Sequence, residues 1–137
     1  MDIRATLHNA PGSHRLEVST NGSSALLPIP GQPAGGSAVN GGELLCAALA
    51  TCYCNDLYRE AARQNIEIAG VEVEVASEFG GPGDPARRIS YRVRVTSSAP
   101  PEVIEQLIRD TDACAEVHNT LRAGLEVELD VVPPQVS

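Results

Sequence analysis

The sequence predicts an α+β fold: a strongly bent antiparallel sheet packed around one long buried central helix. Three observations predict it. Residues 71–79 and 88–97 alternate apolar and charged side chains, the period of strands with one buried face. Residues 43–65 carry a long helical pattern whose first half is apolar on every side, so this helix is expected to enter protein all round. Short alternating stretches in residues 1–30 and 125–132 add strands at both ends. At 137 residues the chain is expected to be a single domain, 1–137.

Ile3, Ala5 and Leu7, then Leu16 and Val18, then Leu26 are separated by Pro11-Gly12 and Asn21-Gly22. They read as two or three short antiparallel strands. Residues 31–42 (GQPAGGSAVNGG) form a Gly-rich loop that lacks the lysine of a phosphate loop. The helix at 43–65 follows. Its second half keeps Cys54, Leu57, Tyr58 and Ala61 on one side and Asn55, Arg59, Glu60 and Arg63 elsewhere.

The hairpin at 71–97 is specified most closely. Centring its turn on Gly83 sets Glu72 opposite Arg94 and Glu74 opposite Arg92, with the valines sharing the other face. Pro100-Pro101-Glu102 opens a second helix with an apolar stripe of Val103, Ile104, Leu107 and Ile108. Asp112 is placed to cap a short third helix ending near Arg122 and stopped by Gly124, so the helices occupy 101–122. The last strand, 125–132, alternates Leu125, Val127 and Leu129 with Glu126, Glu128 and Asp130.

Composition excludes several partners. The net charge is −8, no lysine is present, and only Tyr53, Tyr58, Phe79 and Tyr91 are aromatic. Neither a phosphate-neutralising surface nor a stacking platform can be built from this set, so no nucleic-acid partner is expected. The longest apolar run, Leu44 to Cys54, is far shorter than the roughly 20 residues of a membrane span. Met-Asp-Ile-Arg does not open a secretory signal. The expected setting is the cytoplasm, without a membrane partner. There, cysteines are free, catalytic or metal-bound rather than a disulfide framework.

Chemistry therefore rests on Cys46, Cys52, Cys54 and Cys114. At about 100° and 1.5 Å per helical residue, Cys52 and Cys54 diverge by about 200°, and Cys46 lies about 9 Å or more along the axis from either. No two of these three can pair, which leaves Cys114 as an intramolecular partner. Cys46 and Cys54 read as small buried hydrophobes. Cys114 is expected near a helix start, where the dipole favours a thiolate, whereas a buried Cys52 needs a nearby cation. Cys52, Cys54, Cys114 and His118 offer four donors, but the divergence of the first two opposes a metal site. No metal or other cofactor is expected. His118, His8 and His14 read as polar helix, strand-end or turn residues.

Two segments resemble a known family. Asn40-Gly-Gly-Glu43-Leu-Leu-Cys-Ala-Ala-Leu-Ala-Thr-Cys52 resembles the N-P-x-E-L-L-x-A-A-L-A-x-C helix of the OsmC/Ohr family, the osmotically inducible and organic hydroperoxide resistance proteins. Cys114-Ala-Glu-Val-His-Asn-Thr-Leu121 is similar to its C-x-V-S-N-T-L motif. The resemblance covers about residues 38–132 and implies an intertwined homodimer with sites at the subunit interface. It also implies a thiol peroxidase that takes an organic hydroperoxide as substrate and a dithiol as reductant. Cys52 would form a sulfenic acid and Cys114 would resolve it as a Cys52–Cys114 disulfide. A second reading is a non-catalytic dimer that binds a small apolar ligand, and a third is a redox or stress sensor. The sequence departs from the pattern at Gly41, at Gly42 where the family has a carboxylate, and in placing Cys114 three residues before Val117. Glu43 matches the second acidic position. The activating arginine implied by the family would be Arg15 or Arg4, so Glu43 and Arg15 are the implied accessory residues.

Overall fold

A computed structural model describes residues 1–135. The chain divides into two compact units, Met1–Leu45 and Cys46–Ser137.

The first unit holds β1 (Ile3–Ala10), β2 (Ser13–Thr20) and β3 (Ser23–Leu27), an antiparallel sheet in that order. Leu7 sits opposite Leu16, and Leu16 opposite Leu27, so the alternation of the sequence sets the register. The β2–β3 link is the two-residue Asn21-Gly22, both with positive φ (49° and 84°). That is the twist a tight hairpin needs, and the reason this dipeptide is favoured there. Helix α1 (Gly41–Arg63) begins in this unit. Asn40 and Glu43 close its first turn reciprocally: the Asn40 N–H donates to Glu43 Oε1 at 3.0 Å, and the Glu43 N–H to Asn40 Oδ1 at 2.8 Å. This is a capping box built on Asn.

In the second unit, β4 (Gly70–Phe79) pairs antiparallel with β5 (Ala86–Thr96). Glu72 lies opposite Arg94 and Glu74 opposite Arg92, as the sequence requires, and Arg92 bonds Glu74 at 3.0 Å. The valine face receives α1. Tyr53, Leu57 and Ala61 of that helix and Leu107 of α2 (Pro101–Cys114) make the buried core, against Val71, Val73, Val93 and Val95. Positions 53, 57 and 61 are one stripe of a helix, so α1 buries one face through its second half.

Three expectations are not met within the single chain. The strands form a three-stranded and a two-stranded sheet rather than one bent sheet. Helix α1 is not buried on every side: Ala47, Ala48, Thr51 and Tyr58 are exposed. Residues 125–132 form no strand, and Leu125, Val127, Leu129, Val131 and Val132 are 76–94% exposed. The physical reason is shared. An alternating strand is stable only when an edge pairs with it and a core receives its apolar face, and neither is met by this segment within the chain.

Asp112 is not a cap. Helix α2 runs through it to Cys114, breaks at the buried, extended Ala115 (φ −70°, ψ 111°), and restarts as α3 (Glu116–Ala123). Side chains of α3 take up the carbonyls left open at the break: Asn119 Nδ2 donates to Ala113 O at 3.0 Å, and Arg122 to Asp112 O at 3.2 Å. Gly124, in the left-handed region at φ 68°, ends α3. No helix among the described residues is long and apolar enough to cross a membrane.

Leu107 is fully buried between α1 and the sheet. Leu107→Ala is expected to cost about 2–5 kcal/mol, read as a lower urea midpoint. Arg94→Ala, at an exposed pair 4.0 Å apart, should leave the midpoint near wild type.

Candidate active site

Positions 52, 56 and 59 fall on one stripe of α1, four and three residues apart. The structure joins them to the break between α2 and α3. The Cys52 thiol donates to Asp56 Oδ2 at 3.6 Å and lies 3.8 Å from Glu116 Oε2. Arg59 holds the far oxygens of the same carboxylates, Asp56 Oδ1 at 3.0 Å and Glu116 Oε1 at 3.7 Å. The Cys114 thiol donates to Thr111 O at 3.5 Å, and the Arg59 charge acts on it as well.

The electrostatics are not those of a free thiolate. Partial burial pushes the Cys52 thiol up, and the Asp56 and Glu116 carboxylates add to that. The Val117 backbone N–H, in the first turn of α3, opposes them by bonding the sulfur. The helix start that the sequence assigned to Cys114 therefore serves Cys52. Cys114 is instead the last residue of α2, at its negative end. Its thiol is also raised, by burial and by Glu60, with Arg59 pulling the other way. Asp56, only 3% exposed, is raised by burial and by its contact with Glu116. Glu116 is lowered, first by its own backbone N–H and then by Asp56.

The other sequence candidates have partners within their own units. Glu43 is engaged in the α1 capping box. Arg15 pairs with Glu17 at 3.3 Å on β2, and Arg4 with Asp2 at 3.0 Å. Cys46 Sγ lies 3.3 Å from Ser77 Oγ, and Cys54 shares a depression with Val71 and Val73, so both face the hairpin. The set Cys52, Cys54, Cys114 and His118 is not assembled. Sequence reasoning missed Asp56, Arg59 and Glu116; the i, i+4, i+7 spacing from Cys52 was the signal available for the first two. Among the described residues, Cys52, Asp56 and Glu116 are also the one group with donor atoms all within 4.8 Å of one another, near enough to share a cation.

Comparison with known proteins settles the family. The OsmC-like protein model matches residues 34–130. The chain belongs to the OsmC-like family. No curated protein matches it. Its fold is shared with the OsmC-like protein of Mycoplasma pneumoniae (TM-score 0.66, 15% identity, 90% of this chain and 91% of that one). It is also shared with the organic hydroperoxide resistance protein OsmC of Legionella pneumophila (0.60, 18%, 89% and 90%). The organic hydroperoxide resistance protein of Elizabethkingia anophelis is similar as well (0.61, 14%, 92% and 91%). In this OsmC-like chain the cysteine of the first motif is bonded to Asp56 and Glu116, and Arg59 acts on the thiol of the second.

Beside the cluster, His118 is buried against Tyr53 and Tyr91, whose ring centroids lie 6.0 and 4.7 Å from its own. Neither ring nitrogen has a hydrogen-bond partner. It is a core residue, not the polar helix residue expected from the sequence. Burial and Arg122 push the imidazole below its ordinary value, against the pull of Asp112. Unfolding therefore takes up a proton once pH falls below about 6.5. The contribution of neutral His118 is complete above that value and is lost between it and the lower folded value. His118→Phe removes this dependence, so the variant should gain on wild type between pH 8 and pH 5 in thermal unfolding. A pH-independent difference would contradict it.

Proposed function

We propose that this OsmC-like chain is a thiol-dependent peroxidase that reduces organic hydroperoxides, with Cys52 as attacking thiol and Cys114 as resolving thiol. One observation carries the reading: the Cys52 thiol is bonded into the Asp56–Arg59–Glu116 cluster, whose Arg59 also acts on the Cys114 thiol. Relatives of the same fold bear the name organic hydroperoxide resistance protein.

Mechanism follows from the neighbours of each atom. Cys52 sulfur attacks the terminal peroxide oxygen; the O–O bond breaks, an S–O bond forms, and the sulfur is oxidised by two electrons to a sulfenic acid. Asp56, accepting the thiol hydrogen bond, takes its proton and passes it to the departing alkoxide, which leaves as the alcohol. The Val117 N–H stabilises charge on the sulfur during the attack. Cys114 then attacks the sulfenic sulfur, water leaves, and a Cys52–Cys114 disulfide forms. A dithiol reduces that disulfide and restores both thiols. Such a cycle suits the reducing cytoplasm.

The working unit is proposed to be an intertwined homodimer. The exposed 125–132 segment, with its apolar alternation, would pair as a strand with the second copy, and the exposed small residues of α1 would be covered there. A slow redox sensor is the second reading, favoured by the raised Cys52 thiol. Turnover separates the two.

With cumene hydroperoxide and dithiothreitol, wild type should turn over repeatedly and Cys52→Ser should fall to the buffer rate; equal rates would end the peroxidase reading. Cys114→Ser should complete about one equivalent and stall if Cys114 is the resolving thiol. Asp56→Asn should split two readouts. Loss of the carboxylate raises the thiolate fraction and speeds iodoacetamide alkylation of Cys52, while peroxide turnover drops by about 10²-fold or more. Deletion after Gly124 should convert the dimer to a monomer in sedimentation.

A further inference from the structure

A cavity of about 540 Å³ opens on the second unit, between β5, α3 and Leu49 of α1, with none of the four cysteines in its lining. Its lining combines two chemistries. Leu49, Ile89 and Leu121 give an apolar surface, while Arg87, Arg88 and Arg122 bring positive charge, and no carboxylate lines it. In a chain of net charge −8 with ten cationic side chains, gathering three of them around one hollow is a local reversal of sign. Arg122 is committed to Asp112 at 2.8 Å. Arg87 and Arg88 form no ion pair among the described residues.

His118 and Tyr91, packed ring against ring with centroids 4.7 Å apart, back the lining.

We infer that this cavity is a binding site for an amphiphilic carboxylate, a medium-chain fatty-acid anion, with its head on Arg87 and Arg88 and its alkyl chain over Leu49, Ile89 and Leu121. The volume falls within the range of small-molecule sites. Guanidinium groups match a carboxylate through paired, charge-assisted bonds. The site does not depend on thiol chemistry, so it stands or falls apart from the peroxidase reading.

Calorimetry on the full chain tests it with decanoate, held below its micellisation range, against decanol and decyltrimethylammonium. Saturable binding of decanoate, with the alcohol and the cation at least about tenfold weaker, is the expected result. The exposed pair Arg87→Glu/Arg88→Glu should weaken decanoate by about tenfold or more, with the unfolding midpoint near wild type. Cys52→Ser should bind as wild type does. Decanol binding as tightly as decanoate, no effect of the double charge reversal, or no saturable binding would each overturn the inference. So would a charge-reversed chain that loses its self-association while the wild type ignores decanoate, because the hollow would then be an interface between copies.

Discussion

The site depends on the Arg59 guanidinium standing between Asp56 and Glu116. Asp56 is almost wholly buried, and a buried carboxylate left without a partner is strongly destabilising. Arg59 reaches it from one turn further along α1 and at the same time reaches the first residue of α3. One side chain therefore satisfies the buried acid and ties the long helix to the break between α2 and α3. As an exposed ion pair it would count for little. Its importance comes from the burial of its partner Asp56 and from the Cys52 thiol bonded to the same two carboxylates.

That arrangement sets the character of each thiol. Cys52 has the start of α3 on one side and two carboxylates on the other, so a polarised amide N–H is set against negative charge. The balance favours a protonated sulfur with an acceptor already in place. Cys114 terminates α2, where burial and Glu60 raise its thiol and Arg59 opposes them. A protonated thiol beside a buried carboxylate differs from a permanently ionised one: under the proposed cycle it resists casual alkylation and reacts where a leaving group can take up the proton.

Much of the fold could be read from residue spacing. The β4–β5 register followed from the alternation of valines with glutamates and arginines, because a one-residue slip would reverse both the apolar face and the charge pairs. The strands β1 to β3 followed from alternation and from Asn21-Gly22. The strand expected at 125–132 has the same alternation and yet is absent from the single chain, because periodicity states which face wants burial and not which molecule provides it. Asp112 had the chemistry of a cap, but Tyr91 and Arg122 use its carboxylate, and the helix runs on until Ala115. For the site, helical geometry excluded pairing among Cys46, Cys52 and Cys54 and left Cys114 as the partner, while the choice of Cys52 came from the family motif. Asp56, Arg59 and Glu116 sit one and two turns along the helix from Cys52 and just past Cys114, where their charges look in sequence like an ordinary solvated face.

The most direct measurement of this account is a non-reducing peptide map after one equivalent of cumene hydroperoxide. The account predicts a single new cross-link joining Cys52 to Cys114, with Cys46 and Cys54 still open to alkylation. A Cys52 carried on to the sulfinic acid beside a free Cys114, or linked to Cys46 or Cys54, would contradict it.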